Sequence, residues 1–225
     1  MLDMYSPQWY HLGVVTDSNC PSACTAETKH PAWHNALPAL KAANTTIEKV
    51  VVDVLNVKGY AASAPFNSTA WRARPIFLQS FEINSLKRFS KLTPVPLVYL
   101  LGDAPDSSTR QPLFEIVSDQ NLAKIKSVVS VVAPHKGLLY RVGSDKGGKR
   151  KLLSTGLTEN LKQKVLMVHT YTLRDEAQFV VPTCGGNITC EFGFLFKSLG
   201  IDGAFADYPR TLVQWVEQHY PTNPG

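Results

Sequence analysis

The segment Ile201-Asp202-Gly203-Ala204-Phe205-Ala206-Asp207-Tyr208-Pro209 decides the fold of this chain. A short apolar strand runs straight into Asp207, and Tyr208-Pro209 then turns the backbone into a helix predicted over residues 211–219. The strands of a parallel α/β barrel deliver polar side chains to a catalytic rim in this way. The segment therefore predicts the last strand of such a barrel.

Three earlier segments repeat this design, each with polar or aromatic residues in or just after an apolar run. They are Ala26-Glu27-Thr28-Lys29, Pro75-Ile76-Phe77-Leu78-Gln79-Ser80-Phe81 and Val165-Leu166-Met167-Val168-His169-Thr170-Tyr171-Thr172. A further buried strand is predicted over residues 94–101, and a short, less apolar one directly before Glu27. Mostly apolar strands that alternate with helices indicate an α/β fold with a parallel sheet buried on both faces.

The connecting segments carry signals of their own. Thr45 and Glu48 form a capping box for a helix over residues 45–58, and Gly59 can supply its left-handed stop. The predicted apolar face of that helix contains Ile47, Val50, Val51 and Val54. Further helices are predicted after Asn84, around residues 122–129 and over residues 192–199. Residues 143–156 are predicted to be a flexible basic connection.

The composition fits an ordinary folded protein, with 44% hydrophobic and 18% charged residues. No apolar run reaches the roughly 18 residues needed to cross a bilayer, so no transmembrane segment is predicted. The net charge of +5 comes largely from the basic residues of 146–151. Because no aromatic residues interleave with a basic stripe, we predict a solvated loop there and no nucleic-acid partner.

The four cysteines fall into two close pairs, Cys20 with Cys24 and Cys184 with Cys190. Two disulfides, free buried thiols and a four-cysteine zinc site are all open, although the spacings lack the paired CxxC pattern. Three acceptor tripeptides for N-glycosylation begin at Asn44, Asn67 and Asn187. These signals indicate a glycoprotein of the secretory pathway, extracellular or vacuolar, although residues 1–4 do not resemble a signal peptide.

Four motifs, taken in order, resemble the C-terminal half of the glycerophosphodiester phosphodiesterase family. They are Glu27-Thr28-Lys29-His30-Pro31 (E-x-K-x-P), Leu78-Gln79-Ser80-Phe81 (Q-S-F), Tyr171-Thr172-Leu173-Arg174 (Y-T-L-R) and Gly200–Pro209 (G-x-D-G-x-F-x-D-x-P). Any one of them is loose, but their order makes the resemblance specific. It covers about residues 24–217.

The resemblance implies an enzyme of lipid and glycerol metabolism on a TIM barrel. Such an enzyme hydrolyses a glycerophosphodiester to glycerol 3-phosphate and an alcohol, with one bound divalent cation, calcium or magnesium. The family's motif makes Glu27 a metal ligand and Lys29 a contact of the phosphate. A hard cation prefers carboxylate oxygens, and an ammonium offsets phosphoryl charge, although a solvated surface pair is the alternative.

The resemblance also implies five residues near the substrate: Gln79, Phe81, Tyr171, Arg174 and Asp207. Each has a structural alternative. Phe81 could belong to the core, and Tyr171 could serve packing. Arg174 could form a surface salt bridge. Asp207 could hold the loop of its strand, as we expect for Asp202.

The family's H-R-G and H-D motifs, which supply the acid and base histidines, are not found, and neither is its E-x-D motif, which supplies further metal carboxylates. Three βα units need roughly 90 residues, and fewer precede Glu27. We therefore expect an incomplete (β/α)8 barrel with about strands 4–8, in which residues 1–22 are unassigned and residues 23–225 form the partial domain. An N-terminally truncated gene model and a non-catalytic half-barrel that binds phosphate esters or a partner chain are both open. Open sheet edges would favour self-association.

Overall fold

A computed structural model defines the fold for residues 40–60, 64–164 and 166–221, and for the backbone alone of residues 10–13. The chain divides into two compact units. The N-terminal unit comprises Gln8–Leu100 and Ala104–Ser130, and the C-terminal unit includes Leu101–Asp103 and Val131–Gly225. The predicted strand before Glu27 lies outside the described residues, as do Cys20 and Cys24.

The N-terminal unit alternates strands and helices. In chain order it contains β1 (Tyr10–Gly13), α1 (Ile47–Val57), α2 (Thr69–Ala73), β2 (Ile76–Ser80), α3 (Ile83–Phe89), β3 (Leu97–Leu101), α4 (Leu113–Ile116) and α5 (Asp119–Ile125). β2 pairs with both β1 and β3 in parallel, with Leu12 opposite Leu78 and Leu78 opposite Leu97. All five residues of β3 are buried, which fits a parallel strand covered on both faces.

The start and the buried face of α1 differ from the prediction. Thr46, not Thr45, is the N-cap, and its Oγ1 accepts a hydrogen bond of 3.3 Å from the backbone N of Lys49. Glu48 is buried instead of serving a capping box, and Val54 is 51% exposed. The buried apolar residues of the helix are Val52 and Leu55, because the helix is rotated relative to the predicted apolar face. The helix ends as predicted, with Gly59 at φ +73°.

The cap of α3 also differs from the prediction. Glu82, rather than Asn84, occupies the N-cap position. Asn84 lies inside the first turn, where its side-chain amide donates to the carbonyl of Ser108 at 3.2 Å. Leu86, Phe89 and Leu92 are predicted to share the apolar face of this helix; Leu86 and Phe89 are fully buried, but Leu92 is 40% exposed because α3 ends at Phe89. Asn84 therefore fixes the loop that follows β3 instead of capping the start of α3.

The C-terminal unit repeats the alternation with a hairpin inserted. It contains β4 (Val131–Pro134), β5 (Tyr140–Ser144), β6 (Arg150–Ser154), α6 (Leu157–Gln163), β7 (Met167–Leu173), α7 (Ile188–Phe192), β8 (Gly203–Ala206) and α8 (Pro209–His219). β7 lies between β4 and β8 and is parallel to both. The strand β4 was not predicted, although the apolar run that ends at Pro134 is its signal.

Residues 143–156 are not the flexible connection that their composition predicted. β5 and β6 form an antiparallel hairpin in which Val142 lies opposite Leu152. Asp145 fixes the turn, because its Oδ1 accepts hydrogen bonds of 2.9 Å from the backbone N of Gly147 and of Lys149. A glycine at the turn, Gly148, adopts φ +80°, a conformation that other residues rarely take.

The predicted helix over residues 192–199 begins earlier and changes geometry. α7 starts at Ile188, and Gly193–Ser198 continues it as a π-helical segment. Cys184 and Cys190 form a disulfide with an S–S distance of 2.04 Å. This bridge confirms the predicted second pair, excludes both residues as zinc ligands, and is compatible with an oxidising compartment.

The α/β class is confirmed, since each unit contains parallel strands separated by helices. The incomplete barrel, its strand numbers and self-association remain predictions. Within the described ranges, no helix combines the length and the apolar character that a membrane span requires.

Candidate functional site

The residues predicted for the site divide between the units. Glu27 and Lys29 lie outside the described residues. Gln79 and Phe81 belong to the N-terminal unit, and Tyr171, Arg174 and Asp207 belong to the C-terminal unit. The last three belong to one unit, in which Arg174 and Asp207 contact each other.

Gln79 lies near the carboxyl end of β2, opposite Val98 of β3. Its Oε1 is buried and accepts no hydrogen bond from the part of the chain that the structure describes. A buried carbonyl oxygen without a donor costs about 1–3 kcal/mol, so this atom is suited to a hydroxyl or an amine of a ligand. Phe81 follows the strand and is 38% exposed, which argues against a purely core role.

Tyr171 lies in β7, and the backbone of its own unit holds its hydroxyl. The hydroxyl donates to the carbonyl of Leu101 at 2.9 Å, and the ring meets that of His135 edge to face, with centroids 5.5 Å apart. Burial raises the pKa of the Tyr171 hydroxyl, and the negative charge of Asp103 raises it further. Tyr171 therefore stays neutral, so it can line a pocket but does not serve as a base.

Arg174 and Asp207 meet where β7 and β8 end. The Arg174 Nε lies 2.8 Å from the Asp207 Oδ2, and the backbone N of Asp207 donates to the carbonyl of Leu173 at 3.0 Å. The Arg174 guanidinium also lies 4.7 Å from the ring centroid of Phe179. Among the described residues no hydrogen-bond partner is found for its two terminal NH2 groups, so both can donate to a ligand.

The acidic residues that follow Arg174 connect β7 to the start of α8. Thr211 donates its hydroxyl to Asp175 Oδ2 at 2.5 Å, and the Tyr208 hydroxyl donates to Glu176 Oε1 at 3.2 Å. That hydrogen bond, with the charge of Glu176, raises the pKa of the Tyr208 hydroxyl. These contacts hold the loop that carries Arg174 against the loop that carries Asp207.

Asp202 and Gly203 fix the other end of the same strands. Asp202 Oδ2 accepts from the backbone N of Val168 at 2.8 Å, and its Oδ1 lies 3.3 Å from the Lys162 Nζ. A Cβ on Gly203 would lie 2.7 Å from the His169 Nε2, so only glycine allows the two strands to approach this closely. Asp202 and Gly203 of the closing motif therefore serve the contact between β7 and β8.

Sequence reasoning missed a buried ion pair that holds the loop packed against Arg174. Lys136 Nζ lies 3.0 Å from Glu191 Oε1 and donates to the carbonyl of Phe179 at 2.6 Å. Glu191 is fully buried and also accepts from the Tyr140 hydroxyl at 3.0 Å. Lys136 thus anchors the loop whose Phe179 ring lies against Arg174. The position of Lys136 just after an apolar run was the available signal.

The described residues do not themselves form a metal site. Within these ranges, no group of three or more His, Cys, Asp or Glu side chains could hold a metal ion. Glu27, the metal ligand that the E-x-K motif implies, lies outside these ranges.

Comparison with known proteins identifies the family of this α/β chain. Residues 20–211 match the glycerophosphoryl diester phosphodiesterase family. The chain is 30% identical over 213 residues to the glycerophosphodiester phosphodiesterase GDPD6 of Arabidopsis thaliana. The chain belongs to the glycerophosphoryl diester phosphodiesterase family. The alignment covers 94% of the chain but 55% of the Arabidopsis protein, so the chain spans about half the length of that relative.

Two solved structures also match in part. A glycerophosphoryl diester phosphodiesterase from Silicibacter pomeroyi is 17% identical, with a TM-score of 0.40 over 64% of this chain and 39% of that one. A protein of the same description from Agrobacterium tumefaciens is 13% identical, with a TM-score of 0.39 over 64% and 44%. Likenesses at this level carry no argument about the site.

Proposed function

We propose that this chain contributes part of the site of a phosphodiesterase that hydrolyses glycerophosphodiesters to glycerol 3-phosphate and an alcohol. Family membership supports the reaction class. The observation that carries the proposal is the guanidinium of Arg174, which Asp207 holds at Nε while both Nη groups remain available. An arginine fixed in this way is a receptor for phosphate oxygens.

The proposed role of Arg174 is to bind the phosphate and to stabilise its charge. Its two Nη groups would each donate to a phosphoryl oxygen, and such fixed donors are most effective where negative charge develops in the transition state. Asp207 keeps the fork oriented through Nε, and Tyr171 lines the region with a neutral ring. Gln79 is also a proposed substrate contact, because its buried Oε1 accepts no hydrogen bond from the described residues. Phe81 is proposed as another, because its ring is partly exposed.

We assign the metal and phosphate roles of the E-x-K motif to Glu27 and Lys29 as proposals. A divalent cation, calcium or magnesium, is the group that would bind at Glu27, since hard cations take carboxylate ligands. Glu27→Gln removes one negative charge with little change in shape. If the assignment is correct, the variant needs a higher cation concentration for half-maximal activity, and unchanged cation dependence would contradict it.

The test of the reaction uses the longest natural polypeptide that contains these residues, with the 225-residue chain beside it. Release of glycerol 3-phosphate from a glycerophosphodiester is followed with and without calcium or magnesium. Arg174→Gln should lower kcat/KM by about 100-fold, the usual cost of one lost oxyanion donor. Arg210→Gln, an exposed arginine of α8, is the matched control and should leave it unchanged. Equal rates for the two variants would contradict the role of Arg174.

The second candidate is a half-barrel that binds phosphate esters without turnover. The same fixed guanidinium supports it, because anion binding needs no acid or base. This alternative predicts that glycerol 3-phosphate binds to the chain, that Arg174→Gln abolishes binding, and that neither polypeptide releases product. Measurable turnover excludes it.

We also propose passage through the secretory pathway. The disulfide and the tripeptide Asn187-Ile188-Thr189 support this proposal. Asn187 is exposed, and its Oδ1 accepts from the Thr189 hydroxyl at 2.7 Å, which leaves its amide nitrogen for a glycan. Enzymatic deglycosylation of protein from the native cell should reduce its mass. Absence of any mass change would contradict modification of Asn187, Asn44 and Asn67.

A further inference from the structure

The hairpin β5–β6 concentrates the positive charge of the chain. Residues 141–151 contain five of the 23 Lys and Arg residues and one of the 18 Asp and Glu residues, so they carry four of the five net positive charges. The single acid, Asp145, is engaged by backbone N–H groups of the turn. An ordered hairpin presents this charge in a fixed arrangement, which a flexible loop would not.

The two faces of the hairpin differ. Val142, Ser144 and Arg150 share one face and, with the backbone of Gly143, line a shallow depression beside Pro182 and Thr183 of the same unit. Strand alternation places Arg141 and Gly143 on the other face. Lys151 shares that face because it pairs with Gly143, and Lys149 shares it because it lies two residues before Lys151. Lys146 lies at the turn. These four exposed cations, Arg141, Lys146, Lys149 and Lys151, are called the basic face below.

The cations of the basic face are not neutralised within the described part of the chain. Five other cations there each form an ion pair with a carboxylate, namely Lys49, Arg88, Lys136, Lys162 and Arg174. None of the four cations of the basic face does so among the described residues. Unpaired like charges on one narrow element repel one another, and an anionic partner would relieve that repulsion.

We propose that the basic face is a docking surface for membranes that expose anionic phospholipids. Four cations on one face of a two-stranded ribbon can contact a flat anionic surface at the same time. Each Lys or Arg held near such a surface strengthens binding by roughly five-fold, within about one Debye length. Half-buried Leu153 shares this face and adds apolar contact.

The same residues are poorly suited to single-stranded nucleic acid. That recognition uses aromatic side chains on which bases stack. The one aromatic residue of the hairpin, Tyr140, belongs to the opposite face, its hydroxyl donates to Glu191 at 3.0 Å, and its ring lies against Phe194. Charge complementarity without a stacking platform therefore favours a lipid surface.

The test is flotation of the purified 225-residue chain with vesicles at low ionic strength. One set contains phosphatidylcholine alone, and the other contains equal parts of phosphatidylcholine and phosphatidylserine. The first variant combines Arg141→Gln, Lys146→Gln, Lys149→Gln and Lys151→Gln. The matched control removes the same charge elsewhere, at the exposed residues Lys41, Lys58, Lys91 and Lys126, each replaced by Gln. Circular dichroism establishes that both variants are folded.

We expect binding to the phosphatidylserine vesicles only, weakened at least roughly 100-fold in the first variant and much less in the control. Raising the salt concentration should release the unmodified chain. Equal losses in the two variants would overturn the proposal, because net charge alone would then explain binding. No binding to either vesicle would overturn it as well. Tighter binding to a single-stranded polynucleotide than to the vesicles would overturn the lipid assignment. None of these outcomes depends on the proposed hydrolysis.

Discussion

Asp106 in the N-terminal unit and Asp207 in the C-terminal unit both follow a parallel strand, yet their surroundings are opposite. Asp106 is 4% exposed and accepts hydrogen bonds from Tyr99, Ile83, Ser108 and Thr109. Asp207 has a side chain that is 47% exposed and has one ion-pair partner, Arg174. An acid at a strand end is therefore a candidate for substrate binding only where other protein groups do not already occupy all of its hydrogen-bonding positions.

The ion pair of Lys136 and Glu191 extends the comparison to a fully buried carboxylate of the C-terminal unit. Lys136→Met removes the cation and leaves the buried Glu191 carboxylate without its ion-pair partner. Breaking a buried pair in this way typically lowers the free energy of unfolding by about 3–5 kcal/mol. Urea unfolding followed by circular dichroism measures this loss.

The double variant Lys136→Met with Glu191→Gln is its control. The uncharged amide can still accept from the Tyr140 hydroxyl, so we expect most of the lost stability to return. A double variant no more stable than Lys136→Met would show that the charge of Glu191 is not the cause.

Asp106→Asn should have the next largest effect. The amide keeps one acceptor, but its NH2 group would face either the Tyr99 hydroxyl and the Ile83 N–H or the Ser108 donors. Loss of charge-assisted bonds to buried donors lowers the free energy of unfolding by about 2–4 kcal/mol. Urea titration gives the value, and a change below about 0.5 kcal/mol, typical of surface substitutions, would contradict the structural role of Asp106.

The pH dependence of stability should reflect the same buried acids. Burial opposes ionisation of Asp106 and Glu48, but hydrogen bonds from Ser108 and Tyr99 to Asp106, and from Arg88 and Ser85 to Glu48, hold both pKa values below their ordinary range. A lowered pKa in the folded state stabilises the fold above the unfolded pKa. This contribution is lost as pH falls through the folded value.

We therefore expect the urea midpoint to be level above about pH 5 and to fall below about pH 4, near the unfolded pKa values of these side chains. Asp106→Asn should make that fall shallower, because one of the responsible carboxyls is then absent. An identical slope in the variant would assign the acid sensitivity to other groups.

The sequence predicted the strands better than the contacts between them. Apolar runs identify β2, β3 and β7, because burial on both faces leaves a continuous pattern. The predicted start of α1 was wrong by one residue because Thr45 and Thr46 are equivalent as caps in the sequence. Only tertiary contacts select Thr46, with Glu48 buried against Ser85 and Arg88.

The sequence predicted which strand ends carry the candidate site residues, but not which of those side chains contact each other. The Y-T-L-R and G-x-D-G-x-F-x-D motifs place Arg174 and Asp207 at neighbouring strand ends, but their 2.8 Å contact needs the parallel pairing of β7 and β8. Lys136 and Glu191 are 55 residues apart and carry no local motif, so nothing in the sequence joined them. The hairpin was misread because its Gly and Lys content is also typical of loops.

Asp207→Asn should have the smallest effect on stability, and it provides the matched partner of Asp106→Asn. The pair with Arg174 is solvent-screened, since the two side chains are 47% and 39% exposed, so its loss should change the free energy of unfolding by less than about 1 kcal/mol. The same substitution frees the Arg174 Nε and lets the guanidinium rotate, so kcat/KM for a glycerophosphodiester should fall by about 10-fold or more through a higher KM. Urea titration and initial rates on one protein sample separate the two effects. A large loss of stability with unchanged KM would place Asp207 with Asp106, as an acid that holds the fold.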